Sequence, residues 1–211
     1  MKVNAKITYE IARSLFVILE SERPEISLSG LHVQLLTDCF YEFLPFSLKM
    51  SIDVDELSFG ALLHDIGKIG VPAEILNKPG KLKKEEMELV KSHAELSEKM
   101  LGSIHGLEGV AKWVKFHHER VDGRGYYKLK GNKIPVEARI IAITESYSSI
   151  VLPSAFKPAR NYEDAVTVLK MGAGTQFDAG LVECFCKIPQ QELEEATAEA
   201  MQIFKNARYS V

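Results

Sequence analysis

The chain has 211 residues, 46% hydrophobic and 26% charged, so it is long enough to bury a sizeable core and short enough for a single domain over residues 1–211. A formal net charge of −3 excludes a general nucleic-acid-binding surface, although a local basic patch for a small phosphorylated ligand remains open. The three cysteines form no even disulfide framework, which favours a reducing cytoplasm.

Hydrophobic periodicity predicts a helical chain. The first helix, around Ile7 to Leu19, is interrupted by charged residues, so it is neither a signal peptide nor a membrane span. Pro24 separates it from the helix that carries His32. A short hairpin is predicted around Tyr126 to Ile134. The remaining predicted helices cover residues 55–66, 84–101, 107–118, 136–151, 161–171 and 190–206.

The pair His64 and Asp65 stands inside an otherwise apolar run. Burying an ionised carboxylate costs several kcal/mol unless the group is paired or binds a cation. A metal ion is therefore the simplest explanation for this pair, and the chain must supply further ligands.

Four further histidines, His32, His93, His117 and His118, continue the apolar stripes of predicted helices toward a core. The stripe that leads to the doublet comprises Leu107, Val110, Ala111 and Val114. A core histidine bonded to a backbone carbonyl is the ordinary interpretation of one such residue, and His105, in a predicted loop, keeps it. Five inward histidines beside a buried aspartate are better explained by one or two metals.

Several motifs in this order resemble the HD-GYP family, a branch of the HD-domain metal-dependent phosphohydrolases that hydrolyse cyclic di-GMP. The motifs are His64-Asp65-Ile66-Gly67-Lys68, Asn77-Lys78-Pro79-Gly80, His117-His118-Glu119-Arg120, Asp122-Gly123-Arg124-Gly125-Tyr126-Tyr127 and Gly172-Ala173-Gly174-Thr175-Gln176-Phe177-Asp178. The similarity runs from about residue 32 to residue 185. It implies an all-α, HD-domain helical bundle with flanking terminal helices.

The resemblance implies two transition metals, with iron or manganese favoured and zinc, nickel or magnesium as further options. It assigns one metal to His32, His64, Asp65 and Glu145, and the second to His93, His117 and His118, with Asp65 bridging. Glu145 stands where the family has aspartate, and a surface or capping glutamate is the alternative. Some members bind a third metal, but Leu28 and Ser148 occupy the positions of its extra ligands, so two metals are the expected maximum.

Two adjacent cations can acidify a water for attack on phosphorus, and Asp65 and Lys68 are predicted to act in catalysis. Lys68 stabilises charge on the phosphoryl oxygens, one helical turn from His64. Substrate contacts are predicted for four cations. They are Lys68, Arg124, Lys157 and Arg160. A solvated charge is the alternative for Lys157 and Arg160.

The predicted function is hydrolysis of cyclic di-GMP to pGpG or GMP by a cytoplasmic signalling enzyme that is not inserted in a membrane. Two alternatives stay open. The first is a catalytically degenerate domain that binds a nucleotide or a partner protein in signalling, and the second is an HD phosphohydrolase acting on another nucleotide. The metal residues favour the enzyme. Glu145, Tyr127 in place of the proline of the Gly-Tyr-Pro motif, and Ala159 in place of an aromatic residue favour the regulatory alternative.

Overall fold

The computed structural model describes residues 5–153 and 158–208, and within these ranges the chain forms eleven α-helices and no strand. The all-α fold class is thus confirmed. The helices are α1 Ala5–Glu22, α2 Pro24–Glu42, α3 Phe46–Lys49, α4 Val54–Leu63, α5 Ala73–Leu76, α6 Lys84–Gly102, α7 Glu108–Phe116, α8 Val136–Val151, α9 Tyr162–Gly172, α10 Ala179–Phe185 and α11 Gln190–Arg208. Two 3-10 helices cover Ile66–Gly70 and Gly131–Lys133. Across the described ranges, no helix combines the length and the apolar character that crossing a membrane requires.

The helices predicted from periodicity are all present, with boundary shifts of a few residues. Pro24 opens α2, a position at which proline costs no hydrogen bond and its fixed φ suits a helix. Helix α4 ends at Leu63 because His64 and Asp65 turn the chain into the 3-10 helix that follows. Helices α3, α5 and α10 were not predicted, since four to seven residues are too few to establish a 3.6-residue period.

The predicted hairpin around Tyr126 to Ile134 is wrong. Lys128 and Gly131 adopt left-handed backbone conformations with φ of 61° and 54°, which a regular strand does not allow. The backbone N–H groups of Tyr127 and Leu129 donate to the carboxylate of Glu119 and not to a paired strand. The side chain of Glu119 thus accepts two hydrogen bonds that a paired strand would accept in a hairpin.

Two clusters of buried apolar side chains form the core, and α4 contributes to both. One cluster joins α2, α8 and α10, where the ring of Phe185 packs edge-on against Phe40, with centroids 5.1 Å apart, and at a tilt of 55° against Tyr147, with centroids 5.3 Å apart. The other joins α1, α6 and α7 around Leu63 and Leu101. His64 and Asp65 directly follow α4 and therefore lie where the two clusters meet.

Gly67 allows α6 to pass close to the turn after Asp65. Its N–H donates to Ser97 Oγ at 2.8 Å, and a Cβ added at this position would lie 2.1 Å from the carbonyl oxygen of His93. This contact with the backbone of α6 sets His93 opposite Asp65. The approach is possible only without a side chain.

We expect Gly67→Ala to lower the free energy of unfolding by about 1–3 kcal/mol, because the added methyl collides with backbone atoms that cannot rotate away. Gly102→Ala is the matched control, since its Cβ would lie at an ordinary 3.6 Å from Ala111 Cβ. Urea unfolding followed by circular dichroism measures both. Equal midpoints for Gly67→Ala and the wild type would contradict this account of the α6 contact.

Candidate metal centre

Asp65 lies at the centre of a group of imidazoles and is itself only 3% exposed. Its Oδ1 atom lies 3.2 Å from His93 Nε2 and 4.0 Å from His117 Nε2, and its Oδ2 atom lies 3.3 Å from His64 Nε2. The three histidines come from the ends or interiors of different helices, so the fold gathers them around one carboxylate.

The other ring nitrogen of each of these histidines fixes the tautomer. The Nδ1 atoms of His64, His93 and His117 bond to the carbonyl oxygens of Ala61, Val90 and Val114, each three residues earlier in the chain. A carbonyl oxygen only accepts, so Nδ1 carries the proton and Nε2 presents a lone pair to Asp65.

Four buried atoms of this cluster have no hydrogen-bond partner among the described residues: His64 Nε2, Asp65 Oδ1, His93 Nε2 and His117 Nε2. Lone pairs that face one another at 3.2 to 3.3 Å repel unless a cation lies between them. Buried polar atoms are almost always partnered, so this concentration of unpartnered acceptors is the observation that points to a metal. The donor set of imidazole nitrogen and carboxylate oxygen fits a transition metal.

Charge in the cluster is balanced around an ionised Asp65. Burial acts to raise the pKa of this carboxyl, but Lys68 and the histidines outweigh it and hold the pKa well below its usual range. Burial likewise acts to lower the pKa of Lys68, but Asp65 and Glu145 outweigh it, and the net pKa is raised. Lys68 Nζ donates directly to Asp65 Oδ2. The carboxylate and the ammonium are therefore both charged near neutral pH.

Most of the imidazoles are held neutral, which is the form that ligates metals. Burial lowers the pKa of His118 to about 3 and, together with the neighbouring His118, lowers that of His117 well below its usual value. The pKa of His93 is also lowered by burial. His64 differs, because the attraction of Asp65 outweighs burial and raises its pKa. A proton on His64 therefore competes with a metal for this carboxylate.

Glu145 on α8 joins the cluster. Its Oε2 atom lies 3.8 Å from His117 Nε2 and 3.8 Å from His118 Nδ1. Potential ligand atoms within 4.8 Å of one another form two groups that share Asp65. One comprises Asp65, His93, His117 and His118, and the other comprises His64, Asp65 and Glu145.

The structure does not bring His32 into either group. Its Nδ1 lies 2.8 Å from Ser148 Oγ and its Nε2 lies 2.9 Å from Thr197 Oγ1, so both ring nitrogens have hydroxyl partners. Thr197 reaches His32 because α11 packs against α2. His32 is fully buried, as its apolar stripe indicated, but it faces hydroxyl groups and not Asp65. His32 therefore lies outside both groups in this geometry, and the ligand role predicted for it stays a prediction.

Of the predicted substrate contacts that the structure describes, only Lys68 lines a cavity beside the cluster, one of about 430 Å³ that also reaches Asp65. Arg124 is exposed and lines neither of the two cavities next to the cluster. The Nε atom of Arg160 donates to Asp164 at 3.0 Å. Lys157 lies outside the described residues.

A second cavity of about 300 Å³ opens against His117, His118 and Glu145. Three residues that line it were not predicted to act there: Arg120, Tyr126 and Gln176. All three lie within the quoted motifs, so position in a motif was the available signal. Which of two nearby arginines faces the cavity depends on the loop conformation, and the structure favours Arg120 over Arg124.

Comparisons with known proteins agree with this geometry. Residues 47–181 match the HD domain family. The chain is 37% identical over 141 residues to a protein of Vibrio cholerae named "Probable cyclic di-GMP phosphodiesterase", covering 63% of this chain and 32% of the relative. It is 30% identical over 174 residues to "3'3'-cGAMP-specific phosphodiesterase 3" of the same organism, covering 81% and 36%. The chain thus spans about a third of the length of these relatives.

A solved structure shares the fold: the HD domain of the L. monocytogenes phosphodiesterase PgpH in complex with cyclic-di-AMP. It superposes with a TM-score of 0.59 over 90% of this chain and 96% of that one, at 16% identity. The family match covers more than half of the chain, and the curated relatives carry the cyclic dinucleotide phosphodiesterase names. The chain therefore belongs to the HD domain family, in its HD-GYP branch.

Proposed function

We propose that the chain is a metal-dependent phosphodiesterase that hydrolyses cyclic di-GMP to pGpG or GMP. The observation that carries the proposal is the set of three unpartnered Nε2 lone pairs around one ionised, buried carboxylate. Two transition metal ions, iron or manganese first, would be held by the two groups that share Asp65. The three free cysteines favour a reducing cytoplasm as the place of action.

The metals would acidify a water and polarise a phosphoryl oxygen. The residues of the chain do the remaining work. Asp65 stays ionised and presents both oxygens to the ligand cluster. Most of the imidazoles are neutral, so the positive charge that attracts a phosphodiester would come from Lys68 and the bound metals. Lys68 lines the 430 Å³ cavity beside Asp65, so its ammonium can turn to a phosphoryl oxygen and stabilise the charge that develops there.

The two cavities support a substrate with two nucleotide halves. One reaches Asp65 and the other reaches His117, His118 and Glu145, and Ser149 lines both of them. The larger is mostly apolar, with Ile26, Leu28 and Leu76 in its wall, which suits the face of a nucleobase. The smaller contains Arg120 and Gln176, which bond to each other, and Arg120 also donates to Asp122, so a phosphate or a base edge would compete with these bonds. A cyclic dinucleotide with one phosphodiester at the metals would place one nucleoside in each cavity.

A second candidate substrate is 3'3'-cGAMP. It is favoured by a relative of that specificity, whose similarity covers 81% of this chain. A purified-protein assay with cyclic di-GMP, 3'3'-cGAMP and cyclic di-AMP, in the presence of manganese or ferrous iron, separates the candidates. If the fully metal-loaded wild type hydrolyses none of them, a regulatory domain that binds a nucleotide or a protein partner replaces the enzyme.

We expect Asp65→Asn to abolish metal binding. The change keeps the shape of the side chain but removes the one charge that both ligand groups share. Metal content after purification is measured by plasma mass spectrometry. Asp38→Asn is the matched control, because Asp38 is a half-buried aspartate bonded to Ser58 outside either ligand group. Unchanged metal content in Asp65→Asn would exclude the shared position of this carboxylate.

We expect His32→Gln to keep the metal content of the wild type and to lose about 1–3 kcal/mol of stability, since buried hydroxyl groups lose a partner. Loss of metal from the folded variant would return His32 to the ligand set.

The same variant should change the pH dependence of stability. Burial lowers the pKa of His32 to about 4 from 6.5, so acidification from 6.5 towards 4 adds a proton to the unfolded state first. The wild-type apoprotein therefore loses stability as the pH falls through this window, and His32→Gln should lose less. Urea unfolding of metal-free protein at pH 7 and pH 5 measures the difference. Equal losses in the two proteins would contradict the buried, neutral state of His32.

We expect Lys68→Ala to reduce kcat for the cyclic dinucleotide about 10²–10³-fold, as for other groups that stabilise a developing oxyanion, with metal content retained. Lys187→Ala is the control, because Lys187 is exposed and pairs only with Glu183. A Lys68→Ala enzyme with full metal and wild-type kcat would assign this lysine to charge balance alone.

A further inference from the structure

A second buried carboxylate, Glu119, directly follows the histidine doublet. It is 4% exposed, and its two oxygens accept backbone hydrogen bonds from the loop of residues 122–129, called the glycine loop below. The N–H of Tyr127 donates to Oε1 at 2.6 Å, and the N–H of Leu129 donates to Oε2 at 2.5 Å. Both oxygens of Glu119 are therefore engaged, in contrast to Asp65.

The glycine loop crosses directly over Glu119. A Cβ added at Gly125 would lie 2.5 Å from Glu119 Cα and 2.7 Å from its Oε1. The loop can lie this close only with glycine at that position. Glu119 thus holds the middle of the loop, while the N–H of Asp122, at the start of the loop, donates to Thr175.

The glycine loop presents Tyr126 to the metal cluster. The ring of Tyr126 lies over the ring of His118, with centroids 4.8 Å apart, and Lys91 Nζ lies 5.7 Å from the centre of the tyrosine ring. Tyr126 also lines the 300 Å³ cavity beside His117 and Glu145. The side chain that packs on His118 therefore also forms a wall of the cavity.

Tyr127 holds the glycine loop in place through both its backbone N–H and its ring. Its N–H is one of the two donors to Glu119, a bond that a proline at this position could not make. Its ring packs edge-on against Phe116 at 5.6 Å, with Lys115 Nζ 5.3 Å from the ring centre. Tyr127, which stands in place of the proline of the Gly-Tyr-Pro motif, therefore brings a backbone bond and ring contacts that hold the loop.

We propose that Glu119 is a positioning residue, which holds the glycine loop so that Tyr126 fixes the ring of His118 and forms one wall of the site. The inference rests on the metal role proposed for His118. Residues that orient a ligand in this way typically change metal affinity 10–100-fold when they are mutated. Glu119 would act through Tyr126, and the two residues should therefore behave as one unit.

The test uses cobalt(II), whose visible spectrum reports the ligands, with the full chain and no nucleotide. The variants are Glu119→Gln, Tyr126→Leu and the double variant. Gly125→Ala should also displace the glycine loop, because its added methyl collides with Glu119, but it leaves the Glu119 carboxylate intact. Glu108→Gln is the matched control, because Glu108 also accepts a backbone N–H, from Gly106, but outside the ligand groups.

We expect Glu119→Gln, Gly125→Ala and Tyr126→Leu each to alter the cobalt spectrum and to weaken cobalt affinity about 10-fold or more. The double variant should be no weaker than the worse single variant, and Glu108→Gln should match the wild type. If Glu119→Gln does not fold, Gly125→Ala combined with Tyr126→Leu gives the same comparison.

If folded Glu119→Gln or Gly125→Ala keeps the cobalt spectrum and cobalt affinity of the wild type, the positioning role of Glu119 is overturned, and the proposed metal site is not affected. Additive losses in the double variant would also overturn it, because the two residues would then act by separate routes. A wild type that binds no cobalt would overturn the metal site and this inference together. The choice of nucleotide substrate affects none of these outcomes.

Discussion

The burial of Asp65 among imidazole lone pairs is the constraint on which the rest of the structure depends. An anion at 3% exposure has to be compensated. The ammonium group of Lys68 supplies part of the compensation, and the surrounding imidazole lone pairs call for a cation between them and the carboxylate. This arrangement requires α4 to end at Leu63, directly before His64. It also requires a glycine at position 67, so that α6 can pass close by, and two histidines at the end of α7. Each of these local features serves the same carboxylate.

The buried carboxylates of Asp65 and Glu119 illustrate two ways of compensating a buried charge. Glu119 is satisfied by backbone N–H groups, needs no cation, and orders a loop. Asp65 retains an unpartnered oxygen and faces nitrogen lone pairs, an arrangement that is stable only with a proton or a metal in between. Glu119 therefore stabilises a loop, whereas Asp65 can bind a cation, although both residues are acids next to a histidine in the sequence.

Much of the site could be predicted from the sequence because a helical stripe reports which side chains point inward. His93, His117 and His118 lie where their stripes placed them, and Glu145 joins them from α8. A stripe does not report which partner a buried residue meets. His32 is as buried as His93 and His117, but its Nε2 atom bonds to Thr197, which lies far along the chain on α11. Long-range pairings of that kind leave no local periodicity.

Loop residues were predicted least well, for a related reason. A hairpin was predicted between Tyr126 and Ile134, yet the N–H groups of Tyr127 and Leu129 donate to one carboxylate, and the N–H of Gly131 donates to Val121. Arg120 and Arg124 are equivalent by charge, and only the path of the loop decides which one lines the cavity. A backbone conformation such as that of Lys128, with φ of 61°, has no reliable signature in a non-glycine residue.

The proposed ligands come from four separate segments: the turn after α4, the middle of α6, the end of α7 and the middle of α8. Metals bound there would act as cross-links between parts of the chain that are distant in sequence, and binding would favour the folded state by mass action. The concentration of available metal in the cell would then set not only the rate of turnover but also the fraction of chains that escape proteolysis.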